Sequence, residues 1–342
     1  MRRRMVVDLA ATRPVWCAPP AFVDALRAAA GPDWEVAAVS APVSSDGDGS
    51  GGSPEAVAVA RGAEVYIGYG LPPGVAAAAR DTLRWAHSAA AGVSASVASL
   101  TGGAGLVFTN SAGVHAEPMA EWAVGAVLYF FRGIDRQARA QADGRWAKDE
   151  LTQLPVVARE LAGSTAAVFG LGGVGSAVAR RLVALGAVVR GVRRRPERGG
   201  PDGVAVVGPD RLAEALSGAD VLVVSSPLTD GTRGALGEAA LERLAPGAVL
   251  VQLSRGRVLE ESALLAALTS GRVGAAALDV FAVEPLPAGH PFWAHPRVLV
   301  CPHVSAVSPR FWDRELELVL DNWSRHREGR ALRNQVDLVA GY

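Results

Sequence analysis

The chain has 342 residues, half of them hydrophobic and a fifth charged, which is enough for about two domains, each with its own core. Its 34 basic residues balance 34 acidic ones, so no overall field points to nucleic acid or a membrane surface. Lys148 is the only lysine, which excludes Schiff-base and Walker-type chemistry, and two cysteines, Cys17 and Cys301, cannot build a disulfide framework or a multi-cysteine zinc site. That cysteine usage fits a reducing cytoplasm.

In chain order, the start Met1-Arg-Arg-Arg-Met5 imitates the basic end of a leader, but Asp8 and Arg13-Pro14 break the apolar run. No stretch of 18 uninterrupted apolar residues follows, so no membrane span is expected. Short apolar runs at Val36–Val39, Val65–Ile67, Leu83–His87 and Leu106–Phe108 read as strands between alanine-rich helices. Residues 44–53, rich in Ser, Gly and Asp, read as a surface loop. Residues 117–139 read as one long helix, with Pro118 in its first turn. From Ala166 strands and helices alternate: strands at Ala166–Phe169, Val188–Val192, Val221–Ser225, Ala248–Leu253, Gly274–Leu278 and Val298–Cys301. Helices run to Leu185 and over Asp210–Leu216, Leu236–Leu244 and Glu260–Thr269. This alternation predicts an α/β fold with a parallel sheet covered on both faces. A last helix is expected over Pro309–Arg327.

Between the strand at Ala166–Phe169 and its helix stands Gly170-Leu-Gly172-Gly173-Val174-Gly175, a G-x-G-x-x-G turn. Gly170 suits the tight turn, Gly172 the approach of a pyrophosphate and Gly175 close packing of helix on strand. The end of the second strand, where an NAD site places an acid against the ribose 2′-hydroxyl, instead holds Arg193, followed by Arg194 and Arg195. Guanidinium groups bind a 2′-phosphate that a carboxylate would repel, so NADP(H) is the expected cofactor, with NAD(H) as the lesser one. The clustered Arg190, Arg193, Arg194, Arg195 and Arg198 make this region locally positive in a neutral chain.

Four segments then resemble the D-isomer-specific 2-hydroxyacid dehydrogenase family, in its glyoxylate/hydroxypyruvate reductase-like form. They are Thr109–Trp122, the glycine turn, Val251–Leu264 and Leu278–Pro287, the last continuing through His290–Trp293 to Cys301-Pro302-His303-Val304-Ser305. The resemblance implies two Rossmann-like domains with parallel sheets. A dinucleotide-binding domain, residues 117–305, is inserted into a discontinuous, flavodoxin-like substrate domain made of residues 1–116 and 306–342. It also implies reversible reduction of small 2-oxo acids to D-2-hydroxy acids, with Arg255, Glu284 and His303 as the catalytic set. Arg255 is suited to a substrate carboxylate, His303 to proton transfer at the carbonyl oxygen and Glu284 to orienting the imidazole.

By the same resemblance the cofactor meets the glycine turn, Arg193 and Arg194, then Ser226 and Pro227, Leu253, Arg255, Asp279 and His303, with Asp279 facing the nicotinamide carboxamide. The substrate meets Tyr69, Gly70, Ala91 and Gly92, and the chain pairs as a homodimer. Trp293 walls the pocket or the dimer contact, or simply packs. Gln252, Leu253 and His115 depart from the family's usual residues. The remaining histidines, His87, His115, His290, His295 and His326, are scattered, so no metal site is expected. The competing reading is a dinucleotide-sensing regulator on the same fold.

Overall fold

A computed structural model describes residues 2–43, 52–100, 105–153 and 158–338. Most of the serine- and glycine-rich stretch read as a loop, residues 44–51, lies outside these, and Ser53 caps the helix that follows by accepting the Ala56 amide at 3.0 Å. The chain divides into two compact units, Met1–His115 with Val307–Tyr342, and Ala116–Ala306.

The first unit is built on five parallel strands, β1 (Arg3–Asp8), β2 (Trp34–Ala38), β3 (Val65–Gly68), β4 (Trp85–Ser88) and β5 (Val107–Asn110), in the order β2-β1-β3-β4-β5. Helices α1 (Pro20–Ala30), α2 (Pro54–Val59), α3 (Pro73–Ala78) and α4 (Ser94–Ser99) fall between the strands. β1, missed in the sequence, pairs with both β2 and β3. Its basic start is neutralised across the sheet, where Arg3 binds Glu64 at 2.7 Å and Arg4 binds Glu35 at 3.0 Å. Side chains then alternate: Met5 and Val7 join one core layer, Val6 the other.

The second unit opens with α5 (Ala116–Phe131), α6 (Ile134–Ala142) and α7 (Lys148–Thr152). The single long helix expected here is broken, because Gly133 takes a left-handed conformation (φ +67°) that ends one helix and starts the next. Seven parallel strands follow: β6 (Thr165–Phe169), β7 (Val188–Val192), β8 (Val204–Val207), β9 (Val221–Val224), β10 (Ala248–Gln252), β11 (Val273–Leu278) and β12 (Val298–Val300). Between them lie α8 (Gly173–Ala184), α9 (Leu212–Leu216), α10 (Glu238–Leu241) and α11 (Glu261–Ser270), of which α9 and α10 are shorter than expected.

The strand order β12-β11-β10-β9-β6-β7-β8 reverses between β6 and β9, and ligands of such sheets bind outside the carboxyl ends at that point. Ala166 and Val168 of β6 face the layer with α5 and α8, Ala167 and Phe169 the opposite layer, so both faces are covered. β8 is an additional edge strand that three half-buried valines and an exposed alanine after a Pro-Asp-Gly turn did not announce.

The last helix, α12 (Phe311–Arg327), belongs to the first unit, where Phe311, Leu318, Val319 and Trp323 pack with Met5, Val7 and Ile67. Glu315 on its inner face meets His87 of β4 at 2.8 Å, with both side chains fully buried, and its second oxygen lies 2.7 Å from the Ser111 hydroxyl. The described residues contain no helix long and apolar enough to cross a membrane.

Candidate active site

The glycine turn leaves β6 at Gly170 (φ +105°), where a Cβ would lie 2.4 Å from the Ser226 backbone nitrogen. At Gly175 a Cβ would sit 1.8 Å from the Gly170 carbonyl oxygen, an acceptor already used by the Ser225 hydroxyl at 2.7 Å. These two glycines therefore bring α8 down onto the strand ends. Gly172 differs: no atom lies within 4 Å of where its Cβ would be, so the backbone there faces open space. Gly173 and Val174 then open α8, a 12-residue helix whose N-cap side chain is absent. First-turn amides have no partner within their own helix, and they carry the positive end of its dipole. Beside them the buried Ser226 hydroxyl oxygen has no hydrogen-bond partner, and Pro227 next to it is exposed. A bare turn, a helix start and an orphaned hydroxyl together fit a dinucleotide pyrophosphate.

At the end of β7 Arg193 is half-buried, and its guanidinium donates to the Gly199 carbonyl at 2.5 Å, leaving its other donors for a ligand. Arg194, Arg195 and Arg198 are exposed. Arg190, counted with them in the sequence, is turned away: it donates to the Ser217 carbonyl at 2.7 Å at the end of α9.

Arg255 follows β10. Leu253 is buried, and the Gln252 side chain, also buried, donates to the Arg255 carbonyl at 3.1 Å and accepts from the Ser254 hydroxyl at 3.1 Å. The unusual glutamine thus shapes the turn that presents Arg255. The exposed Arg255 side chain donates to the Ser254 carbonyl at 2.7 Å.

His303 and Glu284 sit on two other loops of the same unit and meet: His303 Nδ1 is 2.8 Å from Glu284 Oε2. Glu284 Oε1 accepts the Phe281 amide at 2.8 Å. Burial raises the Glu284 carboxyl, but the bonds from His303 and the Phe281 amide, with the charges of His303 and Arg255, outweigh it and hold the group below its ordinary value. The hydrogen bond to Glu284 raises His303 above an ordinary imidazole, against the opposing pulls of burial and of Arg255. Since Nδ1 faces the carboxylate, Nε2 is the nitrogen left for proton exchange. The result is a carboxylate-backed imidazole within the electrostatic reach of a guanidinium, a set able to polarise and protonate a carbonyl.

Asp279 makes contacts within the protein that the sequence did not announce. Its Oδ1 accepts the amides of Val304 at 2.9 Å and Ser305 at 3.1 Å, and its Oδ2 accepts the Ser305 hydroxyl. The buried Cys301 thiol also bonds to it and is pushed up to about 12, first by burial and then by that carboxylate. Asp279 therefore ties down the loop on which His303 adopts φ +55°.

Tyr69, in the first unit, is likewise committed, because its buried hydroxyl donates to the Trp16 carbonyl. Gly70 (φ +103°) continues the turn beyond β3. Ala91 and Gly92 follow β4, and the Ala91 carbonyl accepts from the Asn110 side chain at 2.9 Å. Trp293 is half-exposed and donates to the Pro287 carbonyl at 2.9 Å. His115 stacks on Phe311 with ring centroids 5.0 Å apart. The supporting contacts of Gln252, Ser305 and Asp279 were not legible beforehand, because carboxylates and amides that bond backbone groups leave no motif.

The model of the D-isomer specific 2-hydroxyacid dehydrogenase NAD binding domain matches residues 124–305. Glyoxylate/hydroxypyruvate reductase A of Serratia proteamaculans is 34% identical over 279 residues, covering 79% of this chain and 85% of that protein. The enzyme of the same name from Yersinia enterocolitica is 33% identical over the same shares. Among solved structures, a D-isomer specific 2-hydroxyacid dehydrogenase from Xanthobacter autotrophicus Py2, in complex with NADPH and MES, is 32% identical with a TM-score of 0.80, covering both chains fully. The NADPH-dependent glyoxylate/hydroxypyruvate reductase of Sinorhizobium meliloti, in complex with NADP and sulfate, is 28% identical with a TM-score of 0.78, again over the whole of both chains. On sequence and fold alike, the chain belongs to the D-isomer specific 2-hydroxyacid dehydrogenase family.

Proposed function

We propose that this protein reduces small 2-oxo acids, of the size of glyoxylate and hydroxypyruvate, to D-2-hydroxy acids, reversibly and with NADPH preferred over NADH. The observation that carries the reading is the 2.8 Å bond from His303 to Glu284, with Arg255 bearing on both charges, in the unit that also holds the glycine turn. NADPH bound along that turn supplies the hydride. Gly172, Gly173, Val174 and the Ser226 hydroxyl hold its pyrophosphate, Pro227 and Leu253 line the way to its reacting end, and Arg193 with Arg194 takes the 2′-phosphate. Arg255 binds the substrate carboxylate and draws electron density toward the carbonyl oxygen. His303 Nε2 gives that oxygen its proton in reduction and takes one back in oxidation, while Glu284 keeps the ring oriented and charged until transfer. Asp279 fixes the His303 loop. Gly70, Ala91 and Gly92 are assigned to the substrate through their backbones, with Tyr69 supporting that turn.

The printed names of the Serratia and Yersinia relatives and the NADPH or NADP in the two structures above support this reading. A homodimer and a cytoplasmic location complete it. The test is the loss of reduced-nicotinamide absorbance with a panel of 2-oxo acids, using NADPH and NADH in turn. Turnover of a two- or three-carbon 2-oxo acid is the expected result. Cofactor binding with no turnover of any acid would replace the enzyme by a dinucleotide sensor.

A further inference from the structure

We propose that Glu261, which touches neither substrate nor cofactor in the reading above, is a positioning residue whose carboxylate clamps the segment from which Glu284 reaches His303. The inference rests on that reading of the His303–Glu284 pair.

Residues 279–290, Asp-Val-Phe-Ala-Val-Glu-Pro-Leu-Pro-Ala-Gly-His, lie outside any helix or strand, so no backbone ladder fixes where Glu284 points. Side chains do it instead. Glu261, the first residue of α11, accepts the Ala282 amide on Oε1 at 2.8 Å. The preceding amide, Phe281, goes to Glu284 itself. Two consecutive amides are thus drawn to two different carboxylates, and the turn that begins the segment is held from both sides. At the far end, Glu261 Oε2 lies 3.6 Å from His290 Nε2. His290 Nδ1 accepts the Phe292 amide at 3.3 Å, which leaves the proton of a neutral ring on Nε2, facing Glu261. One carboxylate therefore addresses both ends of the segment, and Glu284 lies between them. The Glu261 side chain keeps only 22% of its exposure, although an acid opening a helix would serve the helix dipole equally well while fully in water.

The charged groups bearing on His303 are Glu284, Asp279 and Arg255, and of these only Glu284 lies between the two points that Glu261 holds, Ala282 and His290. Loosening the clamp weakens the bond that raises His303, and a general loss of stability would leave that quantity alone. The experiment is the pH profile of kcat/KM for 2-oxo acid reduction by the full chain as wild type, E261A, E261Q and E284Q. E261A is expected to lose about 10- to 100-fold in kcat/KM, the scale of a misplaced catalytic group. Its alkaline limb should move to lower pH, in the direction of E284Q. E261Q keeps an oxygen for the Ala282 amide and should return the limb to its wild-type place. The position of the limb does not depend on how much of a variant is folded, so a poorly folding E261A still gives an answer. A limb at the wild-type pH in E261A, with E284Q displaced, would overturn the proposal and leave Glu261 structural. An undisplaced limb in E284Q would bring down the His303–Glu284 reading itself, and the proposal with it.

Discussion

Gly256 is where the Arg255 turn meets the Glu284 segment, and replacing it by alanine tests whether that contact sets the catalytic geometry. A Cβ at this position would lie 1.9 Å from the Phe281 carbonyl carbon, 2.1 Å from its oxygen and 2.3 Å from the Ala282 nitrogen. Carbon atoms do not approach backbone closer than about 3 Å, so the two loops must part by roughly 1 Å. All three obstacles are backbone, and no side-chain rotation relieves them. Overpacking of this kind costs about 1–3 kcal/mol, a fall in Tm of roughly 2–12 °C for a domain of this size. The larger effect is on rate: a displacement near 1 Å between groups that act on one carbonyl costs on the order of 100-fold in kcat/KM. The glycine turn at Gly170–Gly175 is separate in sequence and is the proposed seat of the pyrophosphate, so the Kd for NADPH should change by less than about threefold, or 0.7 kcal/mol. Steady-state reduction of glyoxylate, alongside NADPH titration by nicotinamide fluorescence, separates the two effects. G256A with wild-type kcat/KM would refute the view that the close approach of these loops places Arg255 and Glu284.

Three further outcomes are expected. Because Glu284 raises His303, reduction should hold steady at low pH and fall as pH rises through the elevated imidazole value, while oxidation rises through that same value; a shared limb at the ordinary 6.5 would show that the bond to Glu284 does not govern proton transfer. The same shift makes the pair stabilising below 6.5, with that contribution lost as pH climbs through the raised value, so a His303→Ala variant should lose less Tm relative to wild type at pH 9 than at pH 6. Arg193→Glu should swing the ratio of kcat/KM for NADPH over NADH toward NADH by tenfold or more, and an unchanged ratio would remove Arg193 from the 2′-phosphate site.

The parts that sequence disclosed are those whose function rests on local backbone. A G-x-G-x-x-G between an apolar strand and a helix can be read directly, because Gly170 and Gly175 answer to contacts made within the turn and the strands beside it. Arg255, Glu284 and His303 were read through the family resemblance, with Arg255 and His303 also standing just past strand ends. Their supporting partners were not. The hold of Asp279 on amides 25 and 26 residues away was invisible, because nothing in sequence marks a carboxylate that ties down distant backbone. β1 was hidden by its arginines, since their partners Glu35 and Glu64 are 31 and 61 residues distant. The break at Gly133 was hidden for another reason: helix-favouring residues such as Ala, Arg and Gln continue beyond it, and only the left-handed φ ends the helix.

The place of α12 in the first unit has a consequence for the order in which the protein is made. The second unit is one continuous stretch and can fold as soon as it clears the ribosome. The first unit cannot finish then. The side of its sheet formed by Met5, Val7 and Ile67 waits for Phe311, Leu318 and Trp323, and His87 waits for the carboxylate of Glu315. Five strands translated first are thus completed last, after a whole domain has been synthesised between them and their closing helix. Until α12 arrives that side of the sheet is covered only in part, by α1, which makes this unit, rather than the one holding the glycine turn, the more dependent on chaperones during synthesis.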